Sequence, residues 1–311
     1  MALFFILLLK ISPLYINILL GYISTRYLHI TRDSIAKLII YILNPVVVFS
    51  AVVSVQIDLT IVFLPIFFYV FCSLLAFFLL YLYANKWDDA TGNILAFSGG
   101  TGNTGFFGIP LSVILFPPYL ADIYIFTILA SLLYDSTTGF YVTAKGNFTV
   151  KESLHKIMKL PLIYAFIVGL IFNLMNIGIP DQLVTYTDDF KGAYGILGMM
   201  LIGMGLVGLD LQKGADLDLK FISILFILKF IFWPLAILGF IYLDRTFFMF
   251  LNEDLYKVMF LFTILPLAGN TVTLAVLLNA KPEKASFTVI LSTIISIVYI
   301  PIALILYGGF N

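Results

Sequence analysis

Apolar residues run through this chain in blocks of about twenty, separated by short polar or basic intervals. The blocks fall near residues 3–24, 34–54, 61–84, 91–116, 119–144, 160–178, 193–211, 219–243, 256–280 and 285–308. A helix needs about twenty residues to cross roughly 30 Å of hydrocarbon, so each block predicts one transmembrane span. No segment alternates polar and apolar residues with a period of two, which excludes an outer-membrane barrel.

Two blocks violate the helical pattern. The fourth contains "GGTGNTGFFGIP" (99–110) and the ninth "LPLAGNTVT" (265–273). Glycines disfavour continuous helix and Pro110 removes a backbone donor, while Pro266 and Gly269 interrupt the ninth block in the same way. Irregular backbone survives at membrane depth only where protein or a water-filled cavity satisfies it. Each break is therefore expected to give two half-helices ending near the membrane centre. Freed N–H groups at a half-helix N-terminus suit an anion. Gly102, Asn103, Thr104 and Gly105, together with Gly269, Asn270 and Thr271, are the expected substrate-binding residues.

The two halves of the chain repeat each other faintly. "PLYINILLG" (13–21) in the first span matches "PLIYAFIVG" (161–169) in the sixth at proline, leucine and the final glycine. Gly-Asn-Thr occurs at 102–104 and at 269–271, in the fourth span of each half. Ser131, Asp135 and Thr138 form a polar stripe at helical spacing in span five, and Thr288, Ser292 and Ser296 do so in span ten. Five spans per half means that the second half enters from the opposite side. The expected fold is an all-α integral membrane protein: ten transmembrane helices as two inverted five-helix repeats, with helices 4 and 9 broken. Residues 1–144 form the first repeat, 145–160 a basic linker and 161–311 the second repeat. Such inverted repeats build many secondary transporters.

Composition agrees: of 311 residues, 62% are hydrophobic and 11% charged, and the mean hydropathy is +1.09. Soluble domains are roughly half apolar. The placement of the charges says more than their zero sum. Twelve lysines and arginines fall after odd-numbered spans and three (Lys191, Arg245, Lys257) after even-numbered ones. The positive-inside rule then puts the odd loops in the cytoplasm and both termini outside. The N-terminal "MALFFILLLKIS" has no basic n-region or cleavage site, so it reads as part of span one, with Lys10 snorkelling at the outer interface. The linker segment "KGNFTVKESLHKIMK" (145–159), with His155, reads as a basic amphipathic stretch on the cytoplasmic surface. His29 reads as interfacial. Cys72 is single and reads as a small buried hydrophobe. Gly195, Gly198, Gly205 and Gly208 in span seven read as small residues admitting a neighbouring helix.

Ionisable groups inside spans are costly, and Asp135 and Lys229 are the candidates for function. Asp135 lies about ten residues, roughly 15 Å, from the cytoplasmic end of span five, and Lys229 is at similar depth in span eight. The expectation is that they pair, Asp135 as coupling carboxylate and Lys229 as its counter-charge or a cation that attracts substrate. A static pair that only fixes packing is the alternative.

"NTGFFGIPLSVILF" (103–116) resembles the crossover segment of the auxin efflux carrier family, and "LPLAGNTVTLAVLLNAKPEKASFTVILSTIISIVYIPIAL" (265–304) resembles its last two helices. "YILNPVVVFSAVV" (41–53) and "KFIFWPLAI" (229–237) are similar to its second- and eighth-helix patterns. The likeness runs from about Pro13 to the C-terminus. It implies that helices 4 and 9 cross, that helices 1, 2, 6 and 7 are a scaffold and 3–5 and 8–10 move, and that the protein is a homodimer. It also implies a small organic anion as substrate: indole-3-acetate in plant members, malate- or malonate-like carboxylates in bacterial ones. The short central loop resembles bacterial members, which implies the bacterial inner membrane. Plant members have proline where this chain has Gly102, so aromatic specificity is not carried over. Asn44, in place of leucine before Pro45, adds a polar group near the implied site.

The expected function is alternating-access transport of a small carboxylate, proton-coupled, with no cofactor, metal or nucleic acid and with the lipid bilayer as surroundings. A sodium-coupled symporter of the same fold is a second reading, although span nine holds no acidic residue for a sodium site. A channel is a third, since broken helices can line pores. An intramembrane enzyme is a fourth: Tyr134-Asp135 resembles half of an aspartyl protease site, but a Gly-x-Gly-Asp partner, His-Glu-x-x-His and a serine–histidine pair are all missing.

Overall fold

The computed structural model describes residues 2–143, 158, 160–207, 218–277 and 282–309, and these are helical with no strand among them. Six helices among the described residues are long and apolar enough to cross a membrane: Leu3–Leu28, Arg32–Ser54, Leu59–Tyr83, Pro118–Thr143, Leu219–Phe248 and Lys284–Tyr307. In chain order we label α1 (Ala2–Leu28), α2 (Arg32–Ser54), α3 (Leu59–Tyr83), α4 (Thr91–Gly99), α5 (Ile109–Leu115) and α6 (Pro118–Thr143). The second half has α7 (Pro161–Leu174), α8 (Asp181–Met204), α9 (Leu219–Phe248), α10 (Glu253–Thr263), α11 (Asn270–Leu277) and α12 (Pro282–Tyr307). Large apolar side chains such as Leu9, Leu74, Tyr81, Leu235 and Leu306 point outward, as they must where the solvent is hydrocarbon.

Proline shapes three of these helices. Widened π-turns at Ile39–Leu43, Thr104–Gly108 and Leu228–Phe232 each end two residues before a proline: Pro45, Pro110 and Pro234. A proline offers no N–H and its ring crowds the carbonyl four residues back. A wider turn just upstream gives the freed carbonyls other donors, so the helix continues. Accordingly Asn44 N–H donates to the Ile39 carbonyl and Trp233 N–H to the Leu228 carbonyl, each five residues back.

Two helix pairs pack backbone to backbone. A Cβ on Gly21 of α1 would collide with the Met200 carbonyl of α8, and one on Gly203 of α8 with the Ile18 carbonyl of α1. The counterpart of Gly21 in the faint repeat, Gly169 of α7, lies against Val52 and the Phe49 carbonyl of α2. Asn173 Nδ2 then donates to the Val52 carbonyl at 2.9 Å, and Ser50 Oγ to Thr187 Oγ1 of α8 at 2.9 Å. A separate aromatic stack joins α3, α9 and α10: Phe68 lies on Phe262 at 4.0 Å and Phe71 against Trp233 at 4.9 Å.

The expected span near 193–211 is corrected. Its helix starts at Asp181 and ends at Met204, so Lys191 lies inside a helix and not in a loop. The reason is pairing: Lys191 Nζ is 2.8 Å from Asp122 of α6 and 3.0 Å from Asp188, and hydropathy registers the charge without its partners. The first span also extends, with Pro13 inside α1. Most of the basic linker, including His155, and Gly208 lie outside the described residues.

Candidate functional site

Helix α4 ends at Gly99, and the chain stays non-helical until the π-turn at Thr104. Helix α10 ends at Thr263, and α11 begins at Asn270. The two interruptions touch: Asn103 N–H donates to the Pro266 carbonyl at 2.9 Å, and Ser98 Oγ donates to Thr271 Oγ1 at 3.2 Å.

Every backbone group released by a break in hydrocarbon needs a partner. Tyr134 OH donates to the Phe97 carbonyl at 2.9 Å, the Trp233 indole to the Gly99 carbonyl at 2.8 Å, and Tyr124 OH to the Thr104 carbonyl at 3.0 Å. On the other break, Leu267 N–H donates to Ser292 Oγ at 3.1 Å. The N–H groups of Asn103 and Leu267 are thus spent on the protein itself.

Side chains around the breaks enclose a cavity of about 300 Å³. Its polar lining is Asn44, Asn103, Thr104, Ser131, Asp135, Ser136, Tyr194 and Asn270, with Gly102, Gly105 and Gly269 supplying backbone. Thr104 Oγ1 donates to Ser131 Oγ at 2.9 Å, and Asn270 Nδ2 donates to Asp135 Oδ2 at 2.7 Å. Of the polar stripe read on span five, Ser131 and Asp135 face the breaks, while Thr138 Oγ1 pairs with Ser73 Oγ of α3 at 2.9 Å. Three buried atoms of the lining, Asn44 Oδ1, Asn103 Nδ2 and Asp135 Oδ1, have no hydrogen-bond partner among the described residues. Orphans of this kind are rare and costly in a finished core.

Lys229 adds a buried cation beside them. It is 1% exposed, its Nζ has no hydrogen-bond partner among the described residues, and it sits 3.7 Å from the centroid of the Trp233 ring. The expected ion pair with Asp135 is not formed: Asp135 is held by Asn270, and the ring face takes the ammonium instead. Gly102 is what lets the ammonium approach the break, since a Cβ there would lie 2.5 Å from Nζ.

Thr271 is buried against Ser98. Pro110 lies in the first turn of α5, against Gly195 of α8, and Pro266 contributes its carbonyl. Sequence reasoning missed Tyr124, Tyr134 and Trp233, which seal the broken backbone, and Tyr194, which lines the cavity. The available signal was a polar tip on an aromatic ring deep in an apolar span, where it must find a partner.

A family model described as membrane transport protein matches residues 112–304, more than half of the chain. The match begins in α5 and takes in Ser131, Asp135, Lys229, Pro266 and Asn270. No match is found among individually curated proteins. With apolar spans, two touching helix breaks and a polar cavity between them, the chain is an integral membrane protein that belongs to the membrane transport protein family, the family of the auxin efflux carriers.

Proposed function

We propose that the protein is a secondary active transporter that moves a small organic anion by alternating access, binding it where the two interruptions meet. One observation carries this reading: an ammonium and an amide donor, Lys229 Nζ and Asn103 Nδ2, are both buried at the break with no hydrogen-bond acceptor among the described residues. A carboxylate supplies the acceptor atoms and the negative charge that both lack.

Asp135 is the coupling group. With Lys229 and Asp135 both charged the centre is neutral, and a proton on Asp135 gives it the single positive charge that a monocarboxylate balances. Proton and anion then enter together. Sodium at the Asp135 carboxylate serves the same arithmetic and is the second arm of the test.

The architecture is ten spans in two inverted repeats. α4 with α5, and α10 with α11, are the crossed fourth and ninth spans, and both termini lie outside. The packing of α1 on α8 and of α7 on α2 supports this, because spans one and seven map onto six and two when halves are exchanged. Helices α1, α2, α7 and α8 form the scaffold of a homodimer, and the other helices carry the site across it.

Thermal-shift titration of purified protein with a panel of mono- and dicarboxylates, at several pH values with and without sodium, identifies the class. Counterflow of the best ligand in proteoliposomes tests the mechanism. Asn103→Ala and Asn270→Ala are expected to weaken binding about tenfold each. Unchanged affinity in both variants, or single-channel currents in place of counterflow, overturns the proposal.

A further inference from the structure

A second cavity, of about 550 Å³, adjoins the first. The two share Ile40, Asn103, Phe106, Gly269 and Asn270 as a common wall. The lining of the second also takes in Arg32, an exposed side chain at the start of α2, and Ser286 near the start of α12.

Arg32 has no ion-pair or hydrogen-bond partner among the described residues. Its neighbour Asp33 also lines the cavity but is engaged by Lys37 at 2.6 Å. From α8, Gly205 contributes only backbone, and a Cβ there would stand 3.5 Å from the guanidinium carbon. Ser286, from α12, is neutral. Apart from Asn103 and Asn270 on the shared wall, the remaining side chains are apolar, among them Leu201, Ile202, Val272, Val289 and Ile290. A single unpaired guanidinium over an apolar wall suits an organic anion with one carboxylate and a hydrocarbon body. Inorganic anions and dicarboxylates would leave charge or polar atoms against the wall.

We propose that this second cavity is an anion-binding station on the path to the helix breaks, with Arg32 as its recognition group and amphiphilic monocarboxylates as its ligands. The station rests on the anion-transport reading above. It receives the carboxylate from the face that carries Arg26, Lys37 and Lys284 and passes it to Asn103 and Asn270, which belong to both cavities. Arg32 makes the fork-like contact with the carboxylate, and the apolar wall holds the rest of the molecule.

The test is calorimetric titration of the purified full-length protein with benzoate and with malonate, at low and high sodium chloride. Arg32→Gln is expected to weaken benzoate binding about tenfold and to flatten its salt dependence. Arg32→Lys keeps the salt dependence with reduced affinity, and melting curves of both variants verify folding. Benzoate binding that is unchanged in Arg32→Gln, in affinity and in salt slope, overturns the station. Malonate binding tighter than benzoate in a manner that depends on Arg32 overturns its ligand class. If Arg32→Gln has the expected effect while Asn103→Ala and Asn270→Ala do nothing, the station stands and the reading of the breaks fails. If only the asparagine variants lose binding, the breaks stand and the station fails, and a wild-type protein that binds neither probe overturns both.

Discussion

Lys191 Nζ stands 2.8 Å from Asp122 Oδ1, with both side chains less than a tenth exposed, and the pair joins α8 to α6. An ion pair that dry is a poor source of net stability, but losing one member strands the other. Lys191→Met, which strands Asp122, is expected to destabilise the protein by about 3–5 kcal/mol, read as a drop in melting temperature in detergent, and Asp122→Asn by less because Lys191 keeps Asp188. The exchanged pair, Asp122→Lys with Lys191→Asp, should recover only part of the loss, because a carboxylate at position 191 would face Asp188. If both single variants melt like the wild type, the pair holds nothing together.

Lys229 predicts a division between stability and transport. Removing a buried, unpaired ammonium relieves a desolvation cost, so Lys229→Met should raise the stability of the ligand-free protein by about 1–3 kcal/mol. The same variant should lose carboxylate uptake. A destabilised Lys229→Met that still transports would reverse the assignment of this residue.

Gly102→Ala puts a methyl group against the Lys229 ammonium. Overpacking of this kind costs about 1–3 kcal/mol, and the ammonium must leave the break to accommodate it. Binding should fall in parallel with Lys229→Met. The double variant Gly102→Ala/Lys229→Met should be less than additive, because the clash disappears with the ammonium.

The seam between α1 and α8 has no room for a side chain at Gly21 or Gly203. Gly203→Leu should prevent stable folding or lower the melting temperature sharply. Gly239→Ala, where nothing lies within 4 Å, should be silent and serves as the control.

At the opposite end of α9, Asp218 accepts from Trp87 Nε1 at 2.7 Å and from Lys284 Nζ at 2.9 Å, and caps the helix through Phe221 N–H at 3.0 Å. Burial works against the carboxylate, but Lys284, the Phe221 amide and Trp87 outweigh it and hold its pKa below the ordinary 3.8. A depressed folded-state pKa means stability that is present above the unfolded value and lost as pH falls through the folded one. Asp218→Asn should therefore cost about 1.5–3 kcal/mol at neutral pH. Its melting curve should approach that of the wild type as the pH drops below 3.8.

Local features of the fold were legible in the sequence, and pairings were not. Helix breakers act on their own backbone, so Gly102, Pro266 and Gly269 could be read without a partner, whereas Pro110 lies in a helix that a π-turn carries past it. Ser131 and Asp135 were legible because four-residue spacing puts them on one face of a helix. Lys191 was misplaced because its neutralising carboxylate, Asp122, comes from a different helix. Lys229 was assigned the wrong neighbour although Trp233 stands four residues on. Opposite charge suggested Asp135, whereas a ring face at helical spacing was closer. The tyrosines that close the backbone are placed by tertiary packing, which no local pattern reports.

The bond from Asn103 N–H to the Pro266 carbonyl has a consequence for tolerance to substitution. Both atoms belong to the main chain, so side-chain replacement at either position leaves the joint available; only a proline at 103 would remove its donor. The two interruptions can therefore change the side chains around them, and with them the ligand they admit, while still meeting at the same point.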